Sequence, residues 1–236
     1  MSDTPADGGT ADLVSHFCNP EAVAAYADGP RRFVPGLEAL HRMTWLLLAE
    51  RVPADARILV LGAGGGLELK AMAEAQPGWR FTGVDPSPHM LALAGRTLGE
   101  LAARVDLVEG YIDDAPEGPF DAATCLLTLH FLDAAERRRT VAGIHRRLVP
   151  GAPFVAAHSS FPQEAAERDL WLSRYAAYAV SMGADVEQTN GAREAVRRSL
   201  MTFDPATDQV IMQEGGFREV SLFFAAFTWR GWVATA

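Results

Sequence analysis

Cysteine is scarce in this chain: two among 236 residues, Cys18 and Cys125, far apart and in unlike surroundings. That excludes a disulfide framework and a cysteine metal cluster, and it suits a reducing compartment. Basic charge is also short. Lys and Arg number 21 against 30 Asp and Glu, a net charge of −9, and apart from short runs such as Arg137-Arg138-Arg139 the cations are scattered. With no basic face to neutralise phosphates, nucleic acid is disfavoured as a partner. Long apolar runs are missing too. None approaches the roughly 18 residues of a membrane span, and the polar start MSDTPADGGTAD lacks the basic-then-apolar pattern of a leader. The expectation is a soluble, cytoplasmic protein that does not enter a membrane and binds no metal.

The chain does have enough apolar material for one sizeable core: 49% of its residues are hydrophobic and 22% charged. A polar tail over residues 1–12 is expected to be disordered, with a single domain over 13–236 whose first part, 13–52, is a helical cap. From ARILVLG onward, short apolar strands alternate with amphipathic segments. ARILVLG, WRFTGVD, VDLVEG, FDAATCLLTL and APFVAAHS read as strands; GLELKAMAEAQ, SPHMLALAGRTLGELAAR and AAERRRTVAGIHRRL read as helices between them. Ser87 followed by Pro88 marks a helix start, because the hydroxyl can cap free N–H groups and proline suits the first helical position. This rhythm predicts a doubly wound α/β fold with a mostly parallel sheet. Residues 162–200 break it with two helical segments and no strand, and read as a helical lid insertion. PATDQVIMQEGG then reads as a helix, and FREVSLFFAAFTWRGWVATA as a terminal antiparallel hairpin.

At the end of the first strand, LGAGGGLE places Gly62, Gly64 and Gly66 before a helix. Bare backbone and a helix N-terminus suit polar or anionic ligand groups. The dinucleotide fingerprint would need a third glycine where Leu67 stands, and the phosphate-loop Gly-Lys-Ser/Thr is absent. Asp85 ends the second strand. In an open parallel sheet the carboxyl ends of these neighbouring strands share a crevice, where an acid can accept hydrogen bonds from a ribose diol.

In order along the chain, LGAGGG, GVDPSPHML, VDLVEGYIDD, FDAATCLLTLHFL and IHRRLVPGAPFVAA resemble the class I S-adenosylmethionine-dependent methyltransferases. The resemblance implies a Rossmann-like sheet of seven strands and S-adenosylmethionine as cofactor. It further implies a pocket floored by Leu61, Gly62, Ala63, Gly64 and Gly66, with Asp85 on the ribose hydroxyls. Pro86 and Met90 would lie on one side of the adenine, and Tyr111 and Ile112 on the other. Leu126 would line the methionyl arm, and Arg32 would pair with the cofactor carboxylate. Two departures stand out. Members of this class often carry an acid two residues before the first glycine, where this chain has Val60; the acid that often receives the adenine amino group is replaced by Tyr111, leaving that role to Tyr111, to backbone, or to Asp113.

His130 and His158, each near the end of a strand, are the candidates for a base that deprotonates an acceptor; a packing role is the alternative for both. Trp171, Tyr175, Tyr178 and Met182 share a helix face and serve either as core or as the wall of an acceptor pocket. The main expectation is methyl transfer to a small-molecule acceptor, with a lid surface that also permits a homodimer. VPG at 34–36, TLHFLDAAERR and GGF at 215–217 resemble the branch of carboxy-S-adenosylmethionine synthases, enzymes of tRNA wobble-uridine modification. That branch has an arginine at the position occupied here by Ile211, so the additional carboxylate would lack a partner. A cofactor-binding protein without transfer activity is the third reading, and a nicotinamide dehydrogenase the last.

Overall fold

A computed structural model describes residues 29–236; the expected tail, the first part of the helical cap, His16 and Cys18 lie outside the described residues. The first described elements are a short helix α1 (Gly29–Phe33) and α2 (Leu37–Ala49). Five strands and three helices follow: β1 (Arg57–Leu61), α3 (Leu67–Ala75), β2 (Arg80–Asp85), α4 (Pro88–Leu98), β3 (Val105–Glu109), β4 (Ala122–Leu126), α5 (Ala134–His145) and β5 (Pro153–Ser159). Then come α6 (Ala165–Ser181), α7 (Val186–Ser199), α8 (Pro205–Glu214) and the hairpin β6 (Arg218–Ala226) and β7 (Trp229–Thr235). The strands form one seven-stranded sheet in the order β3-β2-β1-β4-β5-β7-β6. All pairings up to β5 are parallel, and those of β7 with β5 and β6 are antiparallel.

The interior strands are mostly apolar because both sheet faces are covered. Every residue of β4 and β5 is buried. On one face Leu59, Val84, Cys125 and Phe154 pack beneath α5 and α8, with Ile144, Ile211 and Trp232. On the other, Ile58, Val60, Phe81 and Val155 pack beneath α2 and α3, with Leu40, Leu69 and Met72. The capping signal at the start of α4 works as expected: Ser87 Oγ accepts from the backbone N–H of Met90, with Pro88 leading the helix. No helix among the described residues is long and apolar enough to cross a membrane.

The direction of winding reverses at β1: β2 and β3 lie on one side of it, β4 and β5 on the other. Ligands of open α/β sheets bind outside the carboxyl ends of the strands at such a reversal. The site should therefore lie beyond Leu61 and Leu126.

Candidate functional site

A crevice opens at that reversal. Leu61, Gly62 and Gly64 form one wall, Asp85, Pro86 and Met90 the next, Tyr111 and Ile112 a third, and Leu126 the end of β4. Nine of the residues expected at the cofactor pocket thus come together at the place the topology selects.

The turn after β1 is tied to the end of β2 by backbone and side chain alike. The N–H groups of Gly62 and Ala63 donate to the Val84 carbonyl at 2.8 and 3.0 Å. The N–H of Gly64 donates to Asp85 Oδ2 at 2.9 Å, and the N–H of Ser87 to Oδ1 at 3.0 Å. Asp85 therefore holds the glycine turn in place while each of its oxygens keeps acceptor capacity toward the crevice. Burial raises its pKa, and the hydrogen bonds from Ser87 and Gly64 pull the other way.

Gly62 and Gly66 are required by packing of the protein on itself. A Cβ on Gly62, at φ 78°, would stand 1.9 Å from Thr128 Oγ1, and one on Gly66, at φ 82°, would meet the Ala94 backbone at 2.9 Å. Gly66 begins α3 and lines no part of the crevice, which corrects its expected role as pocket floor. Ala63 also lies outside the main crevice, in a smaller recess behind the turn.

Three further expectations do not hold in the structure. Arg32 is exposed on α1 and lines neither the crevice nor the recess, because α1 presents both of its arginines to solvent. His130 and His158 are 3% and 0% exposed, and neither reaches the crevice. His158 Nε2 lies 3.2 Å from Asp208 of α8, and Asp208 also pairs with Arg137 of α5, under the sheet. His130 accepts the N–H of Ser159 on Nδ1 and packs against Phe131 and Trp229; burial, followed by the charges of His158 and Arg137, holds its pKa well below the ordinary range. Both histidines are packing groups, and the strand-end position that suggested a rim location turned inward instead. The lid, thirdly, contributes no crevice residue: Tyr175 is buried and stacks on Phe33, Tyr178 meets Phe227, and Met182 is exposed.

Other crevice residues lie within FDAATCLLTLHFL but were given no site role by the sequence. Leu127, Thr128, Phe131 and Leu132 form the wall after β4. Leu127 has φ 58°, an unusual conformation for a branched side chain and one that marks functional turns. Arg137 donates to the carbonyls of Leu132 and Met201, and Met201 N–H donates to the His130 carbonyl, so the buried ion pair also anchors this wall. Tyr111 is exposed at the mouth, where its N–H donates to Asp114; Asp113 does not line the crevice. The titratable side chains of the crevice wall are Asp85 and Tyr111 alone among the described residues.

Residues 59–154, from β1 to β5, match the model of a family described as a methyltransferase domain. Those residues carry a methyltransferase domain. Over its length the chain is similar to a carboxy-S-adenosyl-L-methionine synthase of Chromohalobacter salexigens, with 29% identity over 228 residues, covering 94% of this chain and 84% of the relative. Its fold matches human N-acetylserotonin methyltransferase in complex with S-adenosylmethionine, at a TM-score of 0.66 and 16% identity, covering 98% of this chain and 60% of that one. It also matches magnesium protoporphyrin IX methyltransferase of Synechocystis with bound S-adenosylmethionine, at a TM-score of 0.65 and 13% identity, covering 99% of each. The chain's own residues fit S-adenosylmethionine: a glycine turn, a carboxylate with acceptor capacity to spare and an apolar slot stand side by side.

Proposed function

We propose that this crevice binds S-adenosylmethionine and that the protein transfers its methyl group to a small-molecule acceptor. In this reading Asp85 accepts from the ribose hydroxyls, and the adenine lies between Pro86 and Met90 on one side and Tyr111 and Ile112 on the other. Leu61, Gly62, Gly64 and Leu126 flank the sulfonium and the arm beyond it. When bound, the cofactor supplies a methyl group already activated on sulfur. The chain's own contribution is alignment and exclusion of water: the apolar wall of Leu127, Phe131 and Leu132 leaves the acceptor few places to sit and keeps the reacting atoms dry. The observation that carries the reading is the Gly64–Asp85 hydrogen bond inside the crevice, which joins the two cofactor-binding elements into one rigid unit.

The small-molecule assignment is supported by the net charge of −9 and by the apolar wall. Calorimetry with S-adenosylhomocysteine, followed by transfer of labelled methyl to a panel of hydroxylated and aminated aromatic compounds, tests it. Binding with transfer supports the proposal; no binding removes it, and binding without transfer to any acceptor favours a cofactor-binding protein.

A second reading, a carboxy-S-adenosylmethionine synthase, is favoured by the name of the similar relative from Chromohalobacter salexigens. Charge argues against it. Ile211 is buried in the core beneath the sheet, no lysine or arginine lines the crevice or the recess among the described residues, and residues 1–28 contain neither. An additional carboxylate buried there without a cation would be strongly unfavourable. Mass spectrometry of the ligand retained through purification separates the two readings, since the carboxylated cofactor differs in mass.

A further inference from the structure

Behind the glycine turn, a small recess shares Gly62, Leu126 and Leu127 with the main crevice and is lined by neither Tyr111 nor Ile112. Its walls come from α1, α2 and α3, and one of its lining side chains is Glu68. Glu68 is 7% exposed, and its Oε1 has no hydrogen-bond partner. The Thr124 hydroxyl approaches it from β4 without closing a well-aligned bond, and Thr124 Oγ1 is itself without one. A buried carboxyl with an unused acceptor beside a cavity is costly unless something else uses it.

Thr124 pairs in register with Val60 on β1. The carboxyl of Glu68 thus reaches, from the covering helix, the strand face where residue 60 offers only an apolar side chain. A ligand with its nucleoside at Asp85 and its tail running past Gly62 and Leu126 would bring that tail to this point. We infer that Glu68 accepts the α-ammonium group at the amino-acid end of the cofactor, in place of an acid on β1. The inference rests on the cofactor site proposed above.

Ionisation follows from the geometry. Ligand-free, burial lifts the Glu68 pKa to about 8, so the group is protonated near neutrality. An arriving ammonium ion stabilises the carboxylate and expels that proton. The other titratable groups near it stay neutral at pH 7: burial, with Arg31 beyond, lowers His41 of α2 to about 4, and burial raises the Cys125 thiol of β4.

The test compares S-adenosylhomocysteine with 5′-methylthioadenosine, which keeps the nucleoside and thioether and lacks the amino-acid end. Glu68→Gln is expected to weaken S-adenosylhomocysteine at least tenfold by calorimetry and to leave 5′-methylthioadenosine within twofold. In the unaltered protein at pH 7, titrations in buffers of different ionisation enthalpy should show close to one more proton released with S-adenosylhomocysteine than with 5′-methylthioadenosine; contributions from Asp85 cancel between the two. Equal loss for both ligands in the variant, no loss for either, or no difference in proton release overturns the assignment. Failure of the unaltered protein to bind either ligand instead removes the cofactor site itself, and this assignment with it.

Discussion

Replacing Glu68 by glutamine in the ligand-free protein should change how stability depends on pH. Glu68 has an ordinary pKa of 4.5 and reaches about 8 in the fold, with burial as the main cause and the Thr124 hydroxyl as a smaller opposing one. A folded-state pKa above the unfolded one favours the protonated acid in the native protein. Its contribution is complete below about pH 4.5 and is lost as pH rises through about 8. Within that window each pH unit costs at most about 1.4 kcal/mol, so moving from pH 5 to pH 8.5 costs roughly 2–4 kcal/mol through this one group. Glutamine keeps the shape and removes the ionisation. Urea denaturation followed by circular dichroism should find the variant close to the unaltered protein at pH 5 and more stable by about 2–4 kcal/mol at pH 8.5. A stability difference that stays constant from pH 5 to 9 would refute the reasoning, because the carboxyl would then ionise without penalty.

Three other perturbations follow from the same geometry. Asp85→Ala should weaken S-adenosylhomocysteine by about 1.5–3 kcal/mol in calorimetry, the worth of a hydrogen bond to a charged group; unchanged affinity would remove its ribose role. Gly62→Ala forces a side chain into a left-handed turn and onto Thr128, and should cost on the order of 1–3 kcal/mol of stability in chemical denaturation; a neutral effect would mean that the β4 turn yields easily. Arg137→Met leaves Asp208 buried beside His158 without its arginine partner and should cost about 3–5 kcal/mol. Adding Asp208→Leu should recover part of that loss, and a double variant no more stable than the single one would contradict the pairing.

The parallel core was readable because buried strands announce themselves. RILVL and AATCL are apolar on both faces, and helices opened by Ser87-Pro88 and closed by Pro77-Gly78 and Pro150-Gly151 fixed the alternation. The crevice was readable for the same reason, since Gly62, Gly64 and Asp85 sit at strand ends where topology alone decides what they face. His158 was not. Every residue of β5 is buried, so its sequence has no alternation to say which face a side chain takes, and the partner that explains it, Asp208, is far along the chain on α8. The aromatic face of α6 carried the same ambiguity between core and pocket wall, and Phe33 decided it for Tyr175. Glu68 was hidden by convention: an acid in the first turn of a helix reads as a complement to the helix dipole, and only packing shows that this one points inward.

The most direct measurement is a crystal structure with S-adenosylhomocysteine bound. The account requires the ribose hydroxyls within hydrogen-bond reach of Asp85, the adenine against Ile112 and Met90, and the amino-acid end past Gly62. A nucleoside seated anywhere else, or ribose hydroxyls turned away from Asp85, would contradict it.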